Sequence, residues 1–406
     1  MNKETRPYTK AESRMLADTN RLADQVAGWS RSKTKLIATE ESIKLWGNVV
    51  DYWNPLFRND EYAINTRWGG IIAAPFYTGK FNMPRVIDMQ INPDVGTWRG
   101  KYDGGETKWF RHIKPGNTFR VYNKRPIIED ITEGDGPRAF SLKSSSFLID
   151  ENNKVVCWET RDLTNIFLTK AQHNNGEVNN YSEIESMHKK DPYKYTDQEL
   201  AFIRKTENAE EIRGAKIRYW EDVNVDDQPK PVITGPTTVI DMIQFSGDLI
   251  LGHLPMRECR RLGGKQIVVD PVTKVSHLFL EGHFFGVCED HGLPGIHIAN
   301  YSRSLMARLV TNWMGDDGFL KEFSWKHYDD GREITRDIEF LKDKKSFLHD
   351  LIGDTLIAKG IVTGKRVENG ESLVDLVVWI ENLNGELGSA ARAVVRLCSK
   401  SDEKRW

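Results

Sequence analysis

The chain has 406 residues, enough for two or three domains that each bury a core. Its 57 basic and 59 acidic residues leave a net charge of −2, which supplies no overall field for nucleic acid. Cys157, Cys259, Cys288 and Cys398 are scattered, with neither metal-ligand spacing nor a disulfide framework. The opening "MNKETRPYTKAESRMLADTNRLAD" lacks the apolar core of a secretory leader, and no apolar run approaches the roughly 20 residues that span a bilayer. A cytoplasmic location without nucleic-acid or membrane partners is the expectation.

In chain order, the first distinctive segment is "LWGNVVDYWNPLFRNDEYA", Leu45 to Ala63, with an Asn-Pro pair at 54 and 55. "FRHIKPGNTFRVYNKR" follows at 110–125, with Pro115-Gly116-Asn117 as a turn. Ser146 to Thr169 reads as two long antiparallel strands joined at Glu151 to Lys154. Tyr181 to Arg213 is charged, and Thr196 with Glu199 fits an N-cap and capping box, which predicts a linker helix. A strand, a polar proline-containing loop and an amphipathic element then lead into "IQFSGDLILGHLPMRECRRLGG", Ile243 to Gly264.

That last segment carries Asp248 and, five residues on, His253, in an otherwise apolar setting. Taken alone, the aspartate could cap a helix and the histidine could sit at a core edge. Beyond it lies an irregular stretch, Gly264 to Gly292, in which Ile267 to Val269 reads as a short strand and Leu278 to Phe285 as an apolar cover. Its histidines, with His297 after it, match no familiar zinc spacing, so neither a metal nor another cofactor is expected. "ANYSRSLMARLVTNWM", Ala299 to Met314, places Leu305, Met306, Leu309 and Val310 at helical spacing, and that stripe reads as core. Phe347 to Arg366 has a turn at Gly353-Asp354, and Ser372 to Leu397 is a second long hairpin turning at Asn384-Gly385.

The two halves therefore share an order of parts, which suggests a duplicated domain. Gly116 and Gly353 are 237 positions apart, whereas Tyr52 and Asp248, the matched positions of the two motif segments, are 196 apart. The second half is longer by the difference, and Gly264 to Gly292 is the natural place for much of the insertion. Lying between the motif and the helix, it would border a substrate pocket.

Three stretches carry a resemblance to a known family: "NPLFRNDEYAINTRWGGIIAAPFY", the segment from Trp109 to Thr118 after Gly105-Glu106, and "RYWEDVNVDD…GPTTVIDMIQFSGD". They resemble the MaoC-like dehydratases, double hotdog proteins related to the type 2, R-specific enoyl-CoA hydratases. The resemblance implies an α+β fold of two hotdog domains, each a long central helix wrapped by an antiparallel sheet. It divides the chain into a FAS1-like dehydratase domain at 1–180, without catalytic residues, a linker helix at 181–213, and a MaoC-like domain at 214–406.

The family's motif has the form aromatic-x-Gly-Asp-x-Asn-Pro-aliphatic-His. Phe245, Gly247, Asp248 and His253 match it, while Ile250, Leu251 and Gly252 replace the interior. In the first half Asn54-Pro55-Leu56 is kept, but Tyr52 and Phe57 stand in the acid and base positions. The resemblance thus implies catalysis by Asp248 and His253, with Tyr52, Phe57, Phe284 and Phe285 against the acyl group. Ala299 replaces a glycine usual at the start of the central helix, so the backbone of Ala299 or its neighbours Ile298 and Asn300 would bind the thioester oxygen. The implied partner is an acyl-CoA thioester, and the activity a hydratase or dehydratase. A catalytically silent hotdog subunit and a hotdog thioesterase are the alternatives, and a homodimer is left open.

Overall fold

In a computed structural model, the described residues are 6–30, 36–81, 83–90, 92, 94–168, 193–238, 241, 267–269, 276–278, 299–327, 331–347 and 353–402. The helices of interest are α1 (Lys10–Val26), α2 (Glu40–Val50), α3 (Asp197–Asn208) and α4 (Ala299–Met314). The strands are β1 (Thr97–Trp109), β2 (Thr118–Asn123), β3 (Ile127–Asp130), β4 (Arg138–Asp150) and β5 (Val155–Leu168). Then come β6 (Val232–Thr234), β7 (Ile267–Val269), β8 (Ser276–Leu278), β9 (Phe319–Lys326), β10 (Leu356–Glu368), β11 (Glu371–Glu381) and β12 (Leu387–Arg396). Two compact units emerge. One holds residues 1–36, 78–107 and 118–190, and the other 37–77, 108–117 and 191–406. Among the described residues no helix is long and apolar enough to cross a membrane.

In the first unit the strands run in the order β2-β4-β5-β1, with Gly28–Trp29 at the β2 edge. Strand β4 alternates strictly between buried and half-buried residues, the pattern of a sheet with one dry face. Helix α1 lies on that face and packs Met15, Ala23 and Val26 against Phe140, Leu142, Leu163 and Phe167. Its apolar positions recur at helical spacing, and Thr9 with Glu12 closes a capping box at its start. The β4–β5 turn falls at 151–154, where Asn153 takes φ +60°, a left-handed value that asparagine tolerates.

Within this unit Arg138 points from the first residue of β4 into the packing of α1, only 1% exposed. It reaches Glu12 at 3.2 Å and Asp130 at 2.8 Å, and its guanidinium lies 4.5 Å from the Tyr8 ring centroid. Arg6 adds a bond to Glu12 at 2.7 Å, and the Tyr8 hydroxyl donates to Asp130 at 2.7 Å. Burial of Tyr8 and its bond to Asp130 push its pKa up to about 12.

The second unit has the strand order β9-β12-β11-β10-β6, with β9 to β12 forming long antiparallel ladders. Helix α4 packs across them, touching β6, β9, β10, β11 and β12. The opposite face is covered by the chain around Ile334 and Leu341, which meets Ile361, Val377, Trp379 and Ala390. Burial on both faces is why β11 reads as a nearly continuous apolar run. Gly360 admits α4 closely, since a Cβ there would stand 3.3 Å from Leu309 and 2.9 Å from Val378.

Helix α4 begins and ends at the expected residues, Ala299 and Met314, and the β11–β12 turn holds Gly385 at φ +74°. Helix α3 has its capping box at Thr196 and Glu199, as its spacing predicts. It docks by Ile203 on Ile233 and Ile357, so the charged helix is a packed element of this unit. Strands β7 and β8 pair antiparallel, with Val268 opposite His277. The short strand read at Ile267 to Val269 is therefore present.

Each unit is thus an antiparallel sheet with a helix of 16 or 17 residues on it. This is the hotdog arrangement, twice in one chain.

Candidate functional site

The site is built from α4 and from residues 37–77, which pack in the same unit. Ala299 and Asn300 open α4, so their N–H groups lie in the first turn, where no intrahelical acceptor exists. Those groups and the positive end of the helix dipole can stabilise charge on a carbonyl oxygen. Asp248, His253, Phe284 and Phe285 lie outside the described residues. Of the inserted stretch, only β7 and β8 fall within them.

The first-half motif segment begins with α2, capped by the Thr39 hydroxyl. After its last turn the Asn54 side chain accepts from the Leu56 N–H at 3.2 Å and starts a tight helical turn at Pro55–Phe57. Asn59 repeats the device, accepting from the Tyr62 N–H at 3.0 Å. Asn-Pro here thus does local structural work that needs no catalysis. The turn sends Tyr52 and Phe57 to different surroundings. Phe57 is buried against Gly47 of α2. Tyr52 is 45% exposed, with the Arg58 guanidinium 3.9 Å from its ring centroid and Trp53 edge-on to it.

Further bonds tie this segment to the end of α4. The Tyr62 hydroxyl donates to the Asp316 carboxylate at 2.5 Å, and the Trp68 indole N–H to the Asp316 carbonyl at 2.7 Å. His112 is enclosed between Trp68 and Phe319, with ring centroids 4.2 and 4.8 Å away. Burial, with Arg396, Lys114 and Arg67 nearby, holds its pKa down to about 3, so it is neutral.

Sequence reasoning passed over the polar residues of α4. Arg303 is 3% exposed, and its guanidinium lies 3.8 Å from the Phe76 ring centroid and 5.2 Å from that of Trp325. It sits four residues beyond Ala299, hence on the same helix face. Phe76 takes φ +65°, a strained value for a residue with a side chain. Trp325 stacks edge-on with His327, whose Nδ1 is 3.2 Å from the Ser389 hydroxyl. One and a half turns on, Arg308 pairs with Glu210 at 2.5 Å and lies 3.4 Å from the buried Asp51. Burial raises the Asp51 pKa to about 7, with Arg308 the next largest influence pulling it down, Glu210 pushing it up and Asn54 pulling it down. The available signal was a charge inside an apolar run, "NVVDYW" and "LMARLV".

A solved structure of a MaoC-like dehydratase superposes on this chain with a TM-score of 0.56 at 12% identity, covering 93% of this chain and 99% of its own. The fold is that of a MaoC-like double hotdog protein. A MaoC-like dehydratase from Phytophthora capsici has a TM-score of 0.47 at 9% identity, covering 93% of this chain and 99% of its own. A Mycobacterium tuberculosis protein described as having a double hotdog fold has a TM-score of 0.47 at 8% identity, with 92% and 97% covered. No protein-family model and no curated protein matches the sequence.

Proposed function

We propose that the protein adds water to, or removes it across, the α,β-double bond of an acyl-CoA thioester. The observation that carries this reading is the pair Asp248 and His253, five residues apart in the half that contains α4. The fold supports it, because a hotdog helix of this kind presents free N–H groups at its start. The proposed hydration needs a base for water, an acid for the α-carbon, and donors for the oxygen that gains enolate charge. Asp248 and His253 hold one water and supply both proton transfers on one face of the substrate. The backbone of Ala299 and Asn300 receives the enolate oxygen.

Neither Tyr52 nor Phe57 carries proton chemistry in this scheme: exposed Tyr52 serves the acyl pocket with Phe284 and Phe285, whereas Phe57, expected against the acyl group, is packed under α2 and only supports the turn. Tyr52→Phe is therefore expected to leave kcat within about twofold, while Tyr52→Ala acts mainly through KM. Normal substrate binding with abolished turnover in Tyr52→Phe would refute that division of labour.

A spectrophotometric assay over a small panel of enoyl-CoA thioesters tests the reaction. Loss of enoyl absorbance is the expected result. Release of free thiol would make the protein a thioesterase, and neither signal would make it a silent acyl-thioester-binding subunit.

A further inference from the structure

Asp51 ends α2 as its C-cap residue, with its N–H bonded to the Gly47 carbonyl at 2.9 Å. Its side chain is 2% exposed, and the Asn54 side chain and N–H lie close enough to draw its pKa down, although neither carboxyl oxygen accepts a well-aligned hydrogen bond. The nearest charge is the Arg308 Nε of α4, at 3.4 Å. That guanidinium is already engaged, since its Nε and Nη2 donate to the Glu210 carboxylate at 2.7 and 2.5 Å. Asn312, one turn further along α4, donates to the same carboxylate at 2.6 Å. Glu207, in the last turn of α3, also lies in the field of Arg308 and Glu210. These groups belong to one compact unit.

One half-buried guanidinium cannot fully neutralise two carboxylates at once when one of them is buried. The proton therefore goes to the carboxyl with the poorer partners, and that is Asp51.

We propose that Asp51 carries a proton in the folded protein, and that Asp51, Arg308 and Glu210 are positioning residues that set α4 against the turn following α2. The Asn-Pro turn of the first half, which carries no Asp/His pair, then has a use. It fixes the helix whose first turn is to bind the thioester oxygen. The catalytic consequence rests on the proposed hydration, whereas the proton itself does not.

When Asp51 ionises, a second carboxylate competes with Glu210 for Arg308 and the α2–α4 contact loosens. The sign follows from a folded pKa of about 7 against an ordinary carboxylate value of 3.8. The folded state holds the extra proton between those values, so stability is full below the lower one and declines as pH rises to the upper one.

The test compares wild type with Asp51→Asn, which keeps the shape and cannot ionise. The wild-type melting temperature is expected to fall by several degrees from about pH 5 to pH 8, and Asp51→Asn to lack that part of the fall and to melt higher at pH 8. Glu210→Gln, which frees Arg308, is expected to move the wild-type transition to lower pH. In the hydration assay, wild-type kcat should decline through about pH 7, and Asp51→Asn should lose that limb with KM little changed. An Asp51→Asn protein with the wild-type slope of melting temperature, or a Glu210→Gln transition that stays or rises, overturns the proposal. A lost slope with an unchanged kcat profile overturns the positioning role. Absence of hydration in every variant would instead sink the proposed reaction, and the melting curves would still decide where the proton sits.

Discussion

Asp248→Asn and His253→Ala are each expected to lower kcat for hydration by about 10²–10⁴-fold, the usual share of a positioned acid or base. The two variants should resemble each other, because a water held between two groups is lost when either goes. Losses in residues that act as a unit do not add, so the double variant should be little worse than the worse single one. Both changes remove polar function from an active-site side chain in this scheme, and the melting temperature should stay close to wild type. Single-turnover measurement with one enoyl-CoA thioester separates the chemical step from product release. A loss below about tenfold in either variant would remove the pair from the mechanism. Equal damage from His283→Ala, a change at one of the inserted stretch's own histidines, would move the proposed chemistry into that stretch.

The elements that could be read from the sequence are those whose signals are local. Helix α4 was legible because Leu305, Met306, Leu309 and Val310 recur at helical spacing within it. Helix α3 was legible from one capping box, and the hairpins at 151–154 and 384–385 from their Asn/Gly content. Helix α1 was not anticipated. Its segment is polar overall, which hides the single face on which Met15, Thr19, Ala23 and Val26 lie.

Long-range polar contacts left the least trace. Arg308 meets Glu210 and Asp51 across 98 positions or more, and nothing near any of the three announces the others. Asp51 and Arg308 stand out only as charges inside apolar runs, and Glu210, within a charged stretch, looks like a solvated charge. The interleaving of the compact units is of the same kind, since the segments at 37–77 and 108–117 pack with the second half of the chain. The motif segment of the first half thus borders the central helix of the second. A reading that assigns each half its own motif cannot foresee that, because compactness is a property of contacts and not of order.

Arg138→Met should be as damaging to the first unit as emptying one position of its apolar core. Arg138 opens β4, and among the described contacts its guanidinium is the only positive partner that joins Glu12 to Asp130. Removing it leaves two nearly buried carboxylates facing a thioether. Breaking a buried pair from one side costs about 3–5 kcal/mol, which for a domain of this size lowers the melting temperature by roughly 10 °C. The pH dependence supplies an internal check. Burial alone would raise the Glu12 pKa, but bonds from Arg138, the Thr9 N–H and Arg6 outweigh it and hold the value at about 2. Because that value lies below the unfolded one, the group stabilises the wild type above about pH 4.5, and the stabilisation is lost as pH falls towards 2. Without Arg138 the Glu12 pKa moves back up, so the variant should be less stable at pH 7 yet lose less on acidification. Urea melts at pH 7, 4 and 3 measure both effects. Parallel acid slopes in variant and wild type would mean that Arg138 is not what holds Glu12 ionised, and a loss under about 1 kcal/mol at pH 7 would place the pair on the solvent-screened scale of surface ion pairs.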